Sequence, residues 1–207
     1  MSSQSRSDSA RKILLDCKSV LENDHFVYIT GHHGNGWLDK DRIYPHTELI
    51  CELARLLADE LHAVEADIVC GPATGGLVLS QWLAHHLKIL SVFAEHNPNI
   101  TTDSDGYSLR PNFVLRRNYD KLVKGKKVIV VDDILNTGHS MKETAEAVVA
   151  AGGEVVCAAA ICSRGNTNAS LIGVNQLVCL TEIIIPSWAA ETCELCRSGK
   201  PVNTEFA

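Results

Sequence analysis

No apolar run in this 207-residue chain approaches the length of a membrane span, and the first dozen residues, Met-Ser-Ser-Gln-Ser-Arg-Ser-Asp-Ser-Ala-Arg-Lys, lack the apolar core of a secretory signal. Both absences lead to the expectation of a cytosolic protein without a membrane partner. A basic excess is missing as well: the net charge is −6, and the Lys-Arg cluster from Arg116 to Lys127 is short. That argues against a nucleic-acid partner and leaves Lys121 to Lys127 as an expected solvated hairpin. No linker or internal repeat divides the chain, and low complexity is confined to the Ser-rich start, so one domain is expected over residues 1–207. Two nucleotide-binding signatures are also absent. The Gly-x-x-x-x-Gly-Lys-Ser/Thr string of triphosphate loops does not occur. Gly31, Gly34 and Gly36 follow the strand-like Phe26 to Thr30 in the order Gly-x-x-Gly-x-Gly, a spacing that does not match the dinucleotide fingerprint and that no helical pattern follows.

What the chain does hold is concentrated between Lys127 and Met141, Lys-Val-Ile-Val-Val-Asp-Asp-Ile-Leu-Asn-Thr-Gly-His-Ser-Met. Val128 to Val131 are β-branched without a polar interruption, which suits a central parallel strand covered on both faces. Asp132 and Asp133 fall at its carboxyl end, where open α/β sheets bind ligands; there two carboxylates can accept hydrogen bonds from vicinal hydroxyls and hold a hydrated Mg²⁺. Asn136, Thr137, Gly138, His139 and Ser140 follow, and then a helical pattern from Met141 to Ala151. Small and hydroxyl side chains at a helix start leave backbone N–H groups free for an anion, and the helix dipole adds to the attraction. The stretch therefore reads as a site for a sugar phosphate. The acidic balance of the chain is ill suited to such a polyanion unless Mg²⁺ and local amides invert the field, so metal dependence is expected.

Residues 128 to 140 resemble the phosphoribosyl-diphosphate motif of type I phosphoribosyltransferases. The resemblance implies that Asp132 and Asp133 contact the ribose hydroxyls and that Asn136 to Ser140 wrap the 5′-phosphate. His139 stands where the family usually has Gly, so its backbone must keep a negative φ or its side chain must point outward. A second segment agrees. Asp67 to Cys70 is a short apolar strand, Gly71-Pro72-Ala73-Thr74-Gly75-Gly76 a turn exposing amides, and Leu77 to Leu87 a helical pattern. It is similar to the family's pyrophosphate loop, with Ala73, Thr74 and Gly75 as a nest of N–H groups for the diphosphate.

Phe26 to Pro45 resembles the amino-terminal hood of orotate phosphoribosyltransferases: Gly31, His32 and Trp37 fall on the hood pattern, and Gly34 replaces the usual Ser. This hood, through Trp37 and Lys40, is expected to face the base. Glu154 to Cys162 is an apolar strand ending in Ser163-Arg164-Gly165, and the resemblance implies that Arg164 pairs with the carboxylate of orotate, a task suited to a planar guanidinium. Ala94 to Pro111 contains no lysine, although the corresponding segment of the orotate family is rich in Lys and His. His96 occupies the usual Lys position. If a lysine normally meets the departing diphosphate, His96, Arg110, Arg116 or Arg117 must do so here. The polar composition of this stretch marks it as the expected mobile lid.

Cysteine is plentiful, at eight residues. Cys70, Cys157, Cys162 and Cys179 lie in apolar strand-like runs and are expected to be reduced core thiols. Cys193-Glu194-Leu195-Cys196 lies instead in a polar tail after Pro186, a kind of ending that some orotate-type enzymes share. Such a pair supplies two zinc ligands where a structural site needs four, so it stands either as two free thiols or as half of a zinc site completed by His or Cys from elsewhere in the chain or from a partner chain.

Along the chain the patterns predict a helix over Ala10 to Glu22, a strand over Phe26 to Thr30, and a helix over Thr47 to Ala63 in which Leu49, Leu53, Leu56, Leu57 and Leu61 recur at helical spacing. Strands follow over Asp67 to Cys70 and Ile89 to Phe93 on either side of the helix Gly76 to Leu87. Phe113 to Leu115 is a weak strand, and Val155 to Cys162 and Leu177 to Ile185 come after the helix that Gly152-Gly153 stops. Such alternation implies an α/β fold with a mostly parallel twisted sheet flanked by helices, its core over about residues 64–185 and a small hood from about 10–63 and 186–207. The expected activity is Mg²⁺-dependent transfer of a phosphoribosyl group from 5-phosphoribosyl diphosphate to a nucleobase, releasing pyrophosphate, with orotate the leading acceptor. Asp132, Asp133 and His96 are the expected catalytic residues, and the resemblance implies a homodimer. A purine phosphoribosyltransferase, or a regulator that binds the diphosphate sugar without turning it over, remains an alternative.

Overall fold

The structure is a computed structural model that describes residues 1–28, 31–98, 113–165 and 167–205. Helix α1 (Ser3–Asp16) opens the chain, with the Ser2 hydroxyl accepting from the Ser5 amide as its cap. It starts and ends earlier than the helix expected over Ala10 to Glu22. The Ser-rich start is used as a capped first turn, and Val20 to Glu22 are drawn into β1 (Val20–Val27). The strand expected at Phe26 to Thr30 is thus the end of a longer one, and residues 29 and 30 lie outside the described residues. β1 pairs antiparallel with β2 (His33–Leu38), Val20 opposite Leu38 and Val27 opposite His33.

A 3₁₀ turn at Lys40–Arg42 leads into α2 (Thr47–Glu60). Then come β3 (Ile68–Pro72), α3 (Gly75–Leu87), β4 (Leu90–His96), β5 (Phe113–Val114) and α4 (Tyr119–Val123). β6 (Lys127–Leu135), α5 (His139–Ala150), β7 (Glu154–Ser163), α6 (Ala169–Ile172), β8 (Leu177–Glu182), β9 (Ser187–Trp188) and α7 (Glu194–Arg197) complete the order. Two further expectations are corrected. Lys121 to Lys127 is not a hairpin: Leu122 and Val123 finish the short helix α4, Val123 is fully buried, and Lys127 already belongs to β6. Ala94 to His96, read as the start of a lid, continue β4, and lid positions 99–111 lie outside the described residues.

Six strands form the main sheet in the order β5-β4-β3-β6-β7-β8, parallel except for β5 at the edge. The fold is therefore α/β with a mostly parallel sheet flanked by helices, as expected. Strand alternation distributes its central residues between two cores. Val69, Ile129, Val131, Ala159 and Ile161 pack on one face with Leu53 and Leu57 of α2 and Leu79 and Leu83 of α3. Cys70, Val128, Val130, Ala158 and Ala160 pack on the other with Met141, Ala145 and Val148 of α5. Each fully buried Leu contributes roughly 1.5–3 kcal/mol by leaving water, so the leucine stripe read in α2 is what holds that helix to the sheet. The eight cysteines are all free thiols; Cys70, Cys157 and Cys162 are buried, and burial pushes Cys70 and Cys162 up to about 12.

A second, three-stranded sheet is antiparallel in the order β1-β2-β9, with Trp188 opposite His33. No helix among the described residues is long and apolar enough to cross a membrane.

Candidate active site

Strand order reverses between β3 and β6: the chain moves from β3 outward to β4 on one side and from β6 outward to β7 on the other. Loops leaving the carboxyl ends of two such strands diverge and open a crevice between them. Both sequence-predicted phosphate segments stand at this crevice.

On the β3 side, strand pairing runs through Gly71 and Pro72 before the chain turns at Ala73 and Thr74, whose peptide is cis. The Ala73 amide donates to the Ala94 carbonyl at 2.7 Å, which ties the loop to β4. Gly75 begins α3, and a Cβ there would meet both Asp133 Oδ2 and the Tyr44 hydroxyl. Only glycine lets the loop come this close to the acid pair.

On the β6 side the ladder with β7 continues through Asp132, opposite Ala160, to Leu135, opposite Ser163. Asp132 and Asp133 therefore belong to the strand and not to the loop after it. Gly138 then adopts φ +77° and caps α5, so that His139 and Ser140 form the first helical turn, earlier than the start at Met141 that the pattern suggested. A small cavity of about 70 Å³ lies between Asp132, Asn136, Thr137, Gly138, His139 and Ser140. His139 does not crowd it. Its side chain is exposed and pairs with Glu143 at 3.0 Å, the outward orientation that is one of the two ways to accommodate a side chain where the family usually has Gly.

The two acids have different surroundings. Asp133 is buried; its Oδ1 accepts from the Ile134 amide at 2.6 Å, while Oδ2 accepts from the Tyr44 hydroxyl and lies 3.5 Å from Lys40 Nζ. Asp132 accepts from the Asp133 amide at 3.0 Å, and its carboxyl is pushed well above the usual carboxylate range, first by burial and then by the negative charge of Asp133 beside it. An oxygen-only donor set of this kind suits a hard cation such as Mg²⁺. With both Asp133 oxygens already engaged, water-mediated contact fits better than direct ligation.

A larger cavity of about 440 Å³ runs from this acid pair to the hood, in the range of small-molecule sites. Asp132, Asp133, Asn136 and Ser140 line it together with Tyr28, Trp37, Lys40 and Arg164. Arg164 leaves the end of β7 with its guanidinium 4.8 Å from the centre of the Tyr28 ring and its Nη1 donating to Asn136 Oδ1 at 3.4 Å. Its Nε is buried and has no hydrogen-bond partner among the described residues. Tyr28 and Trp37 stack at 5.9 Å, and the Tyr28 hydroxyl donates to the Gly36 carbonyl at 2.7 Å. That ring also accounts for the departure at position 34, since a Cβ on Gly34 would run into the Tyr28 hydroxyl.

The structure thus brings Trp37, Lys40, Asp132, Asp133, Asn136, Ser140 and Arg164 around one cavity, with Thr137, Gly138 and His139 around the smaller one. Ala73 and Thr74 line neither, although Gly75 touches the acid pair. His96 ends β4, opposite Phe113 and 4.4 Å from that ring, outside both cavities. Arg116 and Arg117 make exposed ion pairs with Glu95, at 3.4 and 3.2 Å, and Arg110 lies outside the described residues. Cys193 and Cys196 lie away from the cavity, beside His25 and His33. Sequence reasoning missed Tyr28 and Tyr44 as cavity-shaping residues. Both fall within or beside the hood segment, but nothing in their spacing points to Arg164 or Asp133, which lie more than eighty residues away along the chain.

Comparison with known proteins gives concordant matches. The family described as phosphoribosyl transferase domain matches residues 39–190. The orotate phosphoribosyltransferase of Caldanaerobacter subterraneus is 30% identical over 183 residues, 88% of each chain, and that of Bartonella quintana is 35% identical over 182 residues, 86% of each chain. In fold, the chain resembles a crystal structure of Mycobacterium tuberculosis orotate phosphoribosyltransferase with a TM-score of 0.64 at 20% identity, over 86% of this chain and 96% of that one.

Proposed function

The chain belongs to the phosphoribosyltransferase family, as an orotate-like enzyme of type I, and from that premise we propose that it transfers the phosphoribosyl group of 5-phosphoribosyl diphosphate to orotate and releases pyrophosphate. The observation that carries the acceptor is Arg164. A half-exposed guanidinium whose Nε–H is buried and unpaired, braced by the Tyr28 ring and by Asn136, is preorganised for a carboxylate in the same cavity that the acid pair lines.

In this reading the reacting carbon passes through cation-like character, so the protein contributes most by anchoring both ends of the sugar phosphate and stabilising the leaving group. Amides of Asn136 to Ser140, at the amino end of α5, hold the 5′-phosphate in the small cavity. Asp132 and Asp133 accept from the ribose hydroxyls, with Asp133 held in place beforehand by Tyr44 and Ile134. Ala73, Thr74 and Gly75 present amides to the diphosphate. His96, at the carboxyl end of the strand next to β3, takes the lid role against the departing diphosphate that lysine fills elsewhere. Trp37 and Lys40 close over the base. Mg²⁺ supplies charge neutralisation for the diphosphate when bound, and Asp132 and Asp133 are the residues to hold it through water. A cytoplasmic homodimer completes the proposal.

Pyrophosphate release measured over orotate, uracil, adenine and hypoxanthine, with and without Mg²⁺, tests the reading. Release with orotate alone and only with Mg²⁺ is expected. Release with a purine base alone would replace the acceptor. Thermal stabilisation by the diphosphate sugar with no release on any base would replace the enzyme by a binding regulator.

A further inference from the structure

At the end of the hood sheet away from Trp37, four side chains converge that the transfer reaction does not use. β1 contributes His25, 1% exposed, β2 contributes His33, and the carboxyl-terminal segment contributes Cys193, fully buried, and Cys196 on either side of the start of α7. Their ligand atoms all lie within 4.8 Å of one another. We propose that His25, His33, Cys193 and Cys196 form a tetrahedral structural zinc site that fastens the carboxyl-terminal segment to the hood.

Distances support that geometry. Around a zinc with bonds of about 2.3 Å to sulfur and about 2.0–2.1 Å to nitrogen, the edges of a tetrahedron are roughly 3.3–3.8 Å. Here His25 Nε2 lies 3.7 Å from Cys193 Sγ and 3.7 Å from Cys196 Sγ, and His33 Nδ1 lies 3.3 Å from Cys196 Sγ. The two ring nitrogens, 2.8 Å apart, need to open by only about half an ångström to match.

The proton inventory of His25 is an independent argument. Its Nδ1 lies 2.8 Å from the Lys200 carbonyl oxygen, which can only accept, so in the neutral ring Nδ1 carries the proton and Nε2 presents a bare lone pair. That one lone pair faces His33 Nδ1 and two sulfurs at once. As hydrogen-bonded neutral groups, only one of the three could be served by that lone pair. A cation on the lone pair serves all of them, with both thiols deprotonated and their protons released to solvent. A carbonyl hydrogen bond to the far nitrogen is also the usual way a zinc-ligating histidine is oriented.

The donor set selects the metal. Two thiolates and two imidazoles with no carboxylate favour zinc over Mg²⁺, and four protein ligands leave no open position, which makes the site structural. The surrounding backbone is already arranged to be locked. Asn203 donates its amide to the His25 carbonyl and its side chain to Asp24, each at 2.7 Å, while Trp188 of β9 pairs opposite His33.

Elemental analysis of the full chain, purified reduced and without chelator, should find one zinc per chain. Replacing zinc with cobalt should give a sulfur-to-cobalt charge-transfer band and the intense visible bands of a tetrahedral site. Cys196→Ser and His33→Ala, at the two less buried ligands, should lower the zinc content to near zero, abolish those bands and make the melting temperature indifferent to added zinc. A reduced wild-type chain that neither contains nor takes up zinc overturns the proposal, as does an unchanged cobalt spectrum in Cys196→Ser. None of these readouts passes through phosphoribosyl transfer, so their failure leaves the proposed activity standing, and loss of that activity would leave this site standing.

Discussion

One wall of the cavity is made by a single stretch of chain: between Val130 and Met141 a strand, a turn and a helix start deliver Asp132, Asp133, Asn136 and Ser140. The rest of the lining, a second wall, draws Tyr28, Trp37 and Lys40 from the hood and Arg164 from the end of β7. Local backbone geometry fixes the first wall, and tertiary packing fixes the second. The phosphate wall should therefore respond to substitutions as an all-or-none catalytic unit, and the base wall as a graded one that changes preference before it loses activity.

The largest expected effect sets the scale of the first wall. Asp133→Asn keeps one acceptor oxygen for the Ile134 amide, and its NH2 can donate to the Tyr44 hydroxyl where the carboxylate accepted from it, so circular dichroism should match wild type, while kcat falls by about 10²–10³, the loss typical of one preorganised electrostatic group. Wild-type kcat in this variant would remove the acid pair from the chemistry. Arg164→Ala tests the second wall. Loss of a charged hydrogen bond costs about 1.5–3 kcal/mol, or roughly 10–150-fold in kcat/KM for orotate, with little change for a base lacking a carboxylate. Equal losses on both bases would move Arg164 to the phosphate side of the comparison.

Smaller effects concern stability. The carboxyl of Asp132 is held above its ordinary range, so its protonated form suits the folded, ligand-free protein, and stability should fall as pH rises through that raised value. Asp132→Asn removes the charge. It should melt higher than wild type at neutral pH, by about 2–4 °C for each kcal/mol relieved, and equal to wild type below the usual carboxylate range, while losing turnover. A lower melting temperature at neutral pH would show that the ionised form is accommodated. Tyr28→Phe is the mildest case. The ring beneath Arg164 stays while the hydroxyl's bond to the Gly36 carbonyl and its contact with Arg164 go, at about 0.5–1.5 kcal/mol of stability, with a smaller rise in orotate KM than Arg164→Ala produces.

The same contrast explains what was legible beforehand. β-branched Val128 to Val131 announce a buried strand, and the acid pair with its small-residue loop announces the anion site, because all the information sits in adjacent residues. Strand ends were read too short at Pro72 and at Leu135, since polar and glycine residues break a hydrophobic run while the ladder with the neighbouring strand continues. The amino-terminal helix was displaced because serine scores poorly in a helix interior yet caps well at Ser2. Tyr44 on Asp133, and His25 with His33 around the cysteine pair, were not legible at all. Each pairing joins residues on separate elements, and no spacing rule connects them.

β2 carries His33 near one end and Trp37 near the other, inside a sheet only three strands wide. Three residues lie between them, four steps of one strand or roughly 13 Å. Stripping the soft-donor cluster should loosen the aromatic platform at a distance and leave the anion cradle intact. Metal starvation would then imitate a competitor of the base, raising its apparent KM without anything entering the pocket.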